Sequence, residues 1–370
     1  SACLVPCRDD YGYHYSYHLA GRGHIQLYYS IWSGISLCYS AVREICGRLA
    51  QLFPSGSFRS SIIRYNTRRE GAFVSEIRVG DLVIRKSHGG DILFKVTDCV
   101  QKEDGVEEYV LKGLHMRLLA DAPRNDLEPV GAEHLRRAII DMENSHNENL
   151  NRVMKRRGME REKNELLRGD TGKKYPVFDV PGRVLHIDGD EDYLKMCLKT
   201  YQQLRIQAAG AFVDEAKQPE QIAKLLEEYR PDILILTGHD ALTGSGKKDF
   251  RNLDSYRNSK YFVQSVRIAR LFQPSKDDLV IFAGACQSHF EALMEAGVNF
   301  ASSPERIFIH PFDPLFIMQK VAYTSIGRVI SPKEVLTNSV VGLAGIGGVQ
   351  TRGKLRLGLP KTGLLQKGRR

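Results

Sequence analysis

Two short apolar runs, each followed by small and polar residues, decide the fold of this chain. They are Ile233-Leu234-Ile235-Leu236, followed by Thr237-Gly238-His239-Asp240, and Leu279-Val280-Ile281-Phe282, followed by Ala283-Gly284-Ala285-Cys286-Gln287-Ser288. Continuous apolar runs of this length are typical of central strands in a parallel sheet that is covered on both faces. Helical patterns alternate with such runs along this part of the chain, so we predict an α/β domain with a mostly parallel sheet and helices on both faces.

The remaining elements of this domain follow from the same alternation of apolar runs and helical patterns. We predict further strands at 184–188, 211–213 and near 307–309, and helices at 192–207, 218–229, 256–271, 288–296 and 314–323. In such sheets the functional site lies outside the carboxyl ends of the strands. The residues that follow each predicted strand are therefore the candidates for chemistry.

Composition shifts divide the chain into five segments. Residues 1–73 show no sustained period, and the first methionine is Met116, so we expect a disordered or spurious extension with a true start near Val74 or Ile77. Residues 76–125 hold four or five short alternating runs, which predict a small SH3-like β-barrel. Residues 126–180 form a charged helical linker, 181–349 the α/β domain and 350–370 a basic tail.

Overall composition narrows the class of protein. The chain is 42% hydrophobic and 26% charged, and no window of 18 residues is wholly apolar, which disfavours a disordered chain and a membrane span. Most of the net charge of +9 comes from the seven lysines and arginines after Gln350, a pattern typical of a solvated end and not of a nucleic-acid partner. The seven cysteines are irregularly spaced, and we expect free thiols and a cytoplasmic location.

His239 and Cys286 follow the two central runs, so neighbouring strands would place an imidazole beside a thiol. An ordinary thiol is only a few per cent thiolate at neutral pH, and a nearby imidazole and a helix N-terminus favour the anion. His239 would then protonate the leaving amine. The backbone N–H of Cys286 is a reasonable donor to an oxyanion. Each residue alone is more readily a core or loop residue, and it is the pair that predicts a cysteine peptidase.

The arrangement resembles caspase-like peptidases, in which the His lies about 50 residues before an Ala-Cys pair that follows an apolar strand. Asp240 stands where those enzymes usually have Gly after the His. Longer blocks resemble the YabG family, sporulation-specific cysteine proteases of endospore-forming bacteria. The blocks span roughly residues 77–361 and leave the first 70 outside: 79–81, 87–94, 118–123, 184–190, 193–198, 231–240, 278–288, 296–304 and 345–353.

The YabG resemblance implies a protease that processes spore coat and germination proteins in the mother cell, cleaves near arginine and uses His239 and Cys286. A buried guanidinium requires a carboxylate partner. Asp188 and Asp190 are our first candidates for that partner, and a turn with a helix cap is the alternative for them. Asp240, Asp254 and Asp313 are weaker candidates. Asp240 or Asp313 could also orient His239.

Two other classes of function remain open on the sequence. A metal-dependent hydrolase could draw on seven side chains near the strand ends: His186, Asp188, Asp190, His239, Asp240, His310 and Asp313. No H-E-x-x-H motif supports it, and no cofactor or metal is implied. A serine nucleophile at Ser288 would lie inside a helix and lacks the G-x-S-x-G turn. The non-enzymatic alternative is a spore-structure protein, for which Cys286 would be dispensable.

Overall fold

The computed structural model describes residues 4–9, 12–17, 76–102, 105–167, 178–243 and 249–358, and side chains in residues 76–162 and in the later ranges. Ser1–Arg69 and Glu70–Arg370 are separate compact units. In the first unit, β1 (Leu4–Asp9) pairs antiparallel with β2 (Gly12–Tyr17). Most residues of the predicted 1–73 extension, and the end of the predicted basic tail, lie outside the described residues.

A five-stranded antiparallel sheet opens the second unit. Its strands are β3 (Leu82–Arg85), β4 (Phe94–Gln101), β5 (Glu107–Gly113), β6 (Leu119–Pro123) and β7 (Leu127–Pro129), in the order β6-β5-β4-β3-β7. Alternate residues of β5 are buried, as expected for strands with one face on a core. The β5–β6 loop, residues 114–118, is irregular apart from a bridge at Leu118 and reaches into the α/β part of the unit.

Helix α1 (Ala132–Leu167) fills most of the segment that we predicted as a charged linker. Its exposed face is charged, but Leu150 and Val153 are buried in the same apolar cluster as residues of the small sheet and of the α/β part. The helix therefore packs along one side of the unit.

The central sheet has six strands: β9 (Val184–Asp188), β10 (Ala208–Phe212), β11 (Ile233–Thr237), β12 (Val280–Ala283), β13 (Phe300–Ser302) and β15 (Ile346–Gly348). Their order is β10-β9-β11-β12-β13-β15, and all neighbours are parallel except β13 and β15. The mostly parallel α/β sheet that we predicted is confirmed. Because the chain passes from β10 back across β9 to β11, the carboxyl ends of β9 and β11 form a topological switch point, where ligands bind in such sheets.

Helices cover the two faces of this sheet. They are α2 (Glu191–Gln203), α3 (Gln218–Tyr229), α4 (Ser259–Phe272), α5 (Phe290–Ala296), α6 (Asp313–Ala322) and α7 (Pro332–Leu336). Alternate strand residues enter two apolar clusters, so that Ile235 and Phe282 lie with residues of α2 and α6, whereas Leu234 and Ile281 lie with residues of α3, α4 and α5. This separation of alternate residues is the period-two pattern of a strand buried on both faces.

Two local predictions are wrong. The strand expected near 307–309 is absent; the strand after α5 is β13, and Ile309 lies in irregular backbone, where its N–H contacts the Cys286 thiol. The helix expected from Ser288 begins at Phe290, with His289 as its N-cap. The helix begins later because residues 284–287 form a tight turn, in which Gly284 and Gln287 have positive φ angles of 113° and 57°.

Four further short strands belong to the α/β part. They are β8 (Phe178–Val180), β14 (Val329–Ile330), β16 (Thr351–Arg352) and β17 (Arg356–Gly358), paired as β8 with β17 and β14 with β16. The β8–β17 pair therefore joins the segment that precedes the central sheet in the chain to the segment that follows it. Among the helices in the described part of the chain, none is long and apolar enough to cross a membrane.

Candidate functional site

His239 and Cys286 occupy matching positions at the carboxyl ends of adjacent strands. The register of β11 and β12 pairs Leu236 with Ala283, and each of the two residues comes three positions later in its own loop. Thr237 Oγ1 donates to the Gly284 carbonyl at 3.1 Å, which ties the two loops together. The structure therefore brings the predicted imidazole and thiol to one edge of the sheet, beside the switch point.

The Cys286 side chain is fully buried, with 0% exposed. Its sulfur accepts a hydrogen bond from Ile309 N–H at 3.3 Å, and the thiol contacts the Ile309 carbonyl at 3.7 Å. Its backbone N–H donates to the carbonyl of Arg117 at 3.2 Å. Burial raises the pKa of the Cys286 thiol to about 12, since a thiolate here would lose its hydration. In this closed arrangement the sulfur is a protonated thiol.

His239 is 1% exposed, and neither of its ring nitrogens has a hydrogen-bond partner within the described residues. The ring stacks on Tyr193 with centroids 5.6 Å apart, and Nε2 lies 3.7 Å from Asp190 Oδ2. Burial, with Lys112 and Arg117 nearby, lowers the pKa of His239 to about 3, although Asp190 acts in the opposite sense. The imidazole is therefore neutral and free to accept a proton once the site is hydrated.

Asp188 is bound to an arginine of the chain itself. Arg117, from the β5–β6 loop, donates from Nη1 and Nη2 to the two oxygens of Asp188, both at 2.8 Å, and both side chains are 0% exposed. The guanidinium also donates to the Pro311 carbonyl and lies over the Tyr193 ring, 5.0 Å from its centroid. The bidentate pair holds the pKa of Asp188 well below its usual range, against the opposing effect of burial.

Asp190 joins three parts of the site. Its Oδ1 caps α2 by accepting from the N–H groups of Asp192 and Tyr193, as the turn-and-cap alternative expected. Its Oδ2 lies 2.7 Å from Lys112 Nζ of β5 and 3.7 Å from His239 Nε2. Lys112, through its charge and its hydrogen bond, and the N–H of Tyr193 lower the pKa of Asp190 despite its burial. Asp190 thus lies near the His239 ring without a hydrogen bond to it.

The carboxylates of Asp240 and Asp313 form hydrogen bonds to groups other than the His239 ring. The Asp240 carboxylate accepts from the hydroxyls of Ser259 and Ser288 and from two backbone N–H groups. Asp313 accepts from the backbone N–H groups of residues 340 and 341. Both carboxylates are buried, and they fix loops around the site; Asp254, the remaining candidate, lies in a 3₁₀ turn before α4.

Glu215 is a site residue that the sequence did not reveal. Its Oε1 accepts from the backbone N–H of His239 at 2.6 Å. The carboxylate packs against Gly189 and Gly238, where an added Cβ on either glycine would overlap it. Burial raises the pKa of Glu215 to about 7, so this carboxyl is partly protonated at neutral pH. The two glycines that follow β9 and β11 therefore leave the space that the Glu215 side chain occupies.

Arg117, Lys112 and Tyr193 were also missed. Arg117 lies 71 positions from its partner Asp188, and a lone arginine in a loop carries no local pattern that would reveal such a pairing.

A cleft of about 550 Å³ continues from this loop between the small sheet and the α/β part, lined in part by Leu118, Leu242, Gln287 and Arg257. Within the described residues, no group of three or more His, Cys, Asp or Glu side chains is arranged to hold a metal ion.

The fold and these residues define an α/β protein with a thiol, an imidazole and an arginine-binding carboxylate at the switch point of a parallel sheet. A family model described as YabG peptidase U57 matches residues 78–360, and the chain belongs to that family. It is 42% identical over 286 residues to the sporulation-specific protease YabG of Bacillus subtilis (strain 168), across 77% of this chain and 98% of that protein. The family resemblance seen in the sequence is confirmed, and the chain is a peptidase.

Proposed function

We propose that this peptidase is a cysteine endopeptidase that cleaves next to arginine, with Cys286 as nucleophile and His239 as general acid and base. The observation that carries the proposal is the placement of these two residues at matching positions after β11 and β12, at the switch point. Cys286 is the buried thiol at this edge, whereas the other buried free thiol among the described residues, Cys197, lies on α2.

The chemistry follows from these groups. His239 takes the proton of the Cys286 thiol, and the thiolate attacks the scissile carbonyl carbon while the backbone N–H of Cys286 donates to the developing oxyanion. The C–N bond then breaks, and His239 returns the proton to the leaving amine, which leaves a thioester on Cys286. Water attacks the thioester with His239 as base, giving a carboxylic acid product and the free thiol. Asp190 positions His239 through its carboxylate.

Asp188 is the acid that we assign to the substrate's arginine. In the structure it already binds a guanidinium in the bidentate geometry that distinguishes arginine from lysine. Asp190 supports the adjacent helix and His239, and Asp240 shapes the loop on which His239 lies. These three carboxylates would therefore contribute differently: Asp188 to substrate binding, and the other two to positioning.

We also assign the finer class of the fold. The strand order with β9 between β10 and β11, followed by His and Cys loops after the next two strands, is the layout of a caspase-like peptidase. The five-stranded antiparallel sheet of residues 82–129 corresponds to an SH3-like barrel. For the domain limits we propose a module that begins near residue 76 and ends with β7 at Pro129, a linker formed mainly by α1, and a peptidase domain that begins near residue 181.

The biological role that we propose is processing of spore coat and germination proteins during sporulation, in the mother-cell cytoplasm or at the spore coat. Its support is the similarity to a protein described as a sporulation-specific protease over nearly all of that protein's length.

Cleavage assays on matched variants test the enzymatic proposal. A coat-protein substrate containing arginine is incubated with the wild type, Cys286→Ala, His239→Ala and, as a control for loss of a thiol away from the site, Cys99→Ala. We expect both site variants to lose cleavage by at least about a thousandfold while Cys99→Ala retains it. Cleavage by folded Cys286→Ala at the wild-type rate would remove the thiol from the mechanism.

A further inference from the structure

The segment from Met116 to Leu119 lies across the carboxyl edge of the central sheet like a bound peptide. The Arg117 carbonyl accepts from Cys286 N–H, and Leu119 N–H donates to the Asp240 carbonyl at 3.4 Å. A parallel bridge pairs Leu118 with Asp240. This backbone is therefore held by the two loops that carry the proposed nucleophile and base.

The side chain of Arg117 completes the likeness to a substrate. Its guanidinium binds Asp188 through two hydrogen bonds of 2.8 Å, and its carbonyl oxygen lies at the N–H that we assign to the oxyanion. An arginine bound in this way presents its carbonyl to Cys286 and its side chain to Asp188 at the same time. The following residues, Leu118 and Leu119, then line the cleft between the small sheet and the α/β part.

We propose, on the basis of the proposed function, that the β5–β6 loop is an internal substrate analogue: Arg117 fills the arginine subsite and closes the site to other peptides. The burial of the site supports this assignment, since Cys286 is 0% and His239 1% exposed, and no external peptide can reach them without displacement of the loop. The high pKa of the Cys286 thiol, about 12, fits the same closed state.

The loop is held without being a competent substrate. Cys286 Sγ is engaged by the Ile309 N–H, and the His239 ring nitrogens make no hydrogen bond to any described residue, so base and thiol are not coupled. The peptide bond after Arg117 therefore remains intact. Opening of the loop would free Asp188, hydrate the thiol and the imidazole, and extend the existing cleft to the site.

Binding measurements in the Cys286→Ala background test the occlusion without depending on catalysis. The probe is a peptide with one arginine, compared with the same peptide carrying citrulline, a neutral isostere, by titration calorimetry. Arg117→Ala removes the internal ligand, and Arg117→Lys keeps a positive charge beside Asp188 but loses the bidentate fork. Arg352→Ala is the control, because Arg352 forms an exposed ion pair with Asp277 and neither residue lines the cleft.

We expect Arg117→Ala to bind the arginine peptide roughly 10- to 100-fold more tightly than the parent, with a smaller gain for Arg117→Lys and none for the citrulline peptide. Arg117→Lys keeps the proposal testable if Arg117→Ala does not fold, because the charge of Asp188 stays compensated. Unchanged affinity in both folded variants, or an equal gain in Arg352→Ala, would overturn it. Cleavage of the wild-type protein after Arg117, detected as a fragment that begins at Leu118, would also overturn it. Loss of cleavage in Cys286→Ala is scored separately and tests only the proposed function.

Discussion

Replacement of Glu215 by Gln should remove a dependence of stability on pH that originates at the site. Glu215 is packed against Gly189 and Gly238 and accepts from His239 N–H, and burial raises its pKa from 4.5 to about 7. A carboxyl with a raised pKa holds its proton in the folded state after the unfolded state has lost it. Its stabilising contribution is therefore complete below pH 4.5 and is lost as the pH rises through 7.

The magnitude follows from the size of the shift. Each unit of pKa difference corresponds to 1.36 kcal/mol, so a rise from 4.5 to about 7 is worth about 3 kcal/mol. Between pH 4.5 and 8 the wild type should lose about 3 kcal/mol of unfolding free energy relative to Glu215→Gln. The amide keeps the shape of the side chain and an oxygen for the His239 N–H.

Urea unfolding at intervals of half a pH unit measures this difference. Glu220→Gln, at an exposed position on α3, controls for the loss of one carboxylate. Parallel curves for the wild type and Glu215→Gln over the whole range would refute the burial argument, as would a difference that grows toward low pH.

Two further outcomes follow from the same structure. In urea unfolding, Gly284→Ala should cost roughly 2–5 kcal/mol of unfolding free energy, because the φ angle of Gly284 is 113° and an added Cβ would overlap Ser302 Oγ. Gly80→Ala should cost only about 1–2 kcal/mol, because the φ angle of Gly80 is 97° but no atom lies near the added Cβ. Equal costs for the two would show that the crowding is absent. Under iodoacetamide, the exposed Cys99 should be alkylated at least about tenfold faster than buried Cys286, followed by peptide mass spectrometry. Rapid alkylation of Cys286 in the wild type would mean that the site is open.

The sequence was sufficient for the central strands β9, β11 and β12 and for the positions of His239 and Cys286 after two of them. Apolar runs of four residues are strong signals for buried parallel strands, and the carboxyl ends of adjacent strands meet by geometry. The strand at Phe300–Ser302 was harder to predict because it is only three residues long and is followed by the more apolar run at 307–309. Hydrophobicity alone therefore favoured the wrong segment.

The contacts that complete the site could not be read from the sequence because they join distant segments. Arg117 comes from a loop of the small sheet, and Glu215 from a turn before α3, and neither has a neighbour that marks its role. Asp188 was predicted to bind arginine, and a guanidinium does bind it, but that guanidinium belongs to the chain itself. Only the folded arrangement distinguishes an open subsite from an occupied one.

Covalent labelling tests the central claim most directly. A peptide chloromethyl ketone with a terminal arginine is incubated with the wild type, His239→Ala and Arg117→Lys, and the modified residue is mapped by mass spectrometry. The account predicts one adduct on Cys286, slower labelling in His239→Ala and faster labelling in Arg117→Lys. An adduct on Ser288 or another residue, or full cleavage activity after Cys286 is blocked, would contradict it.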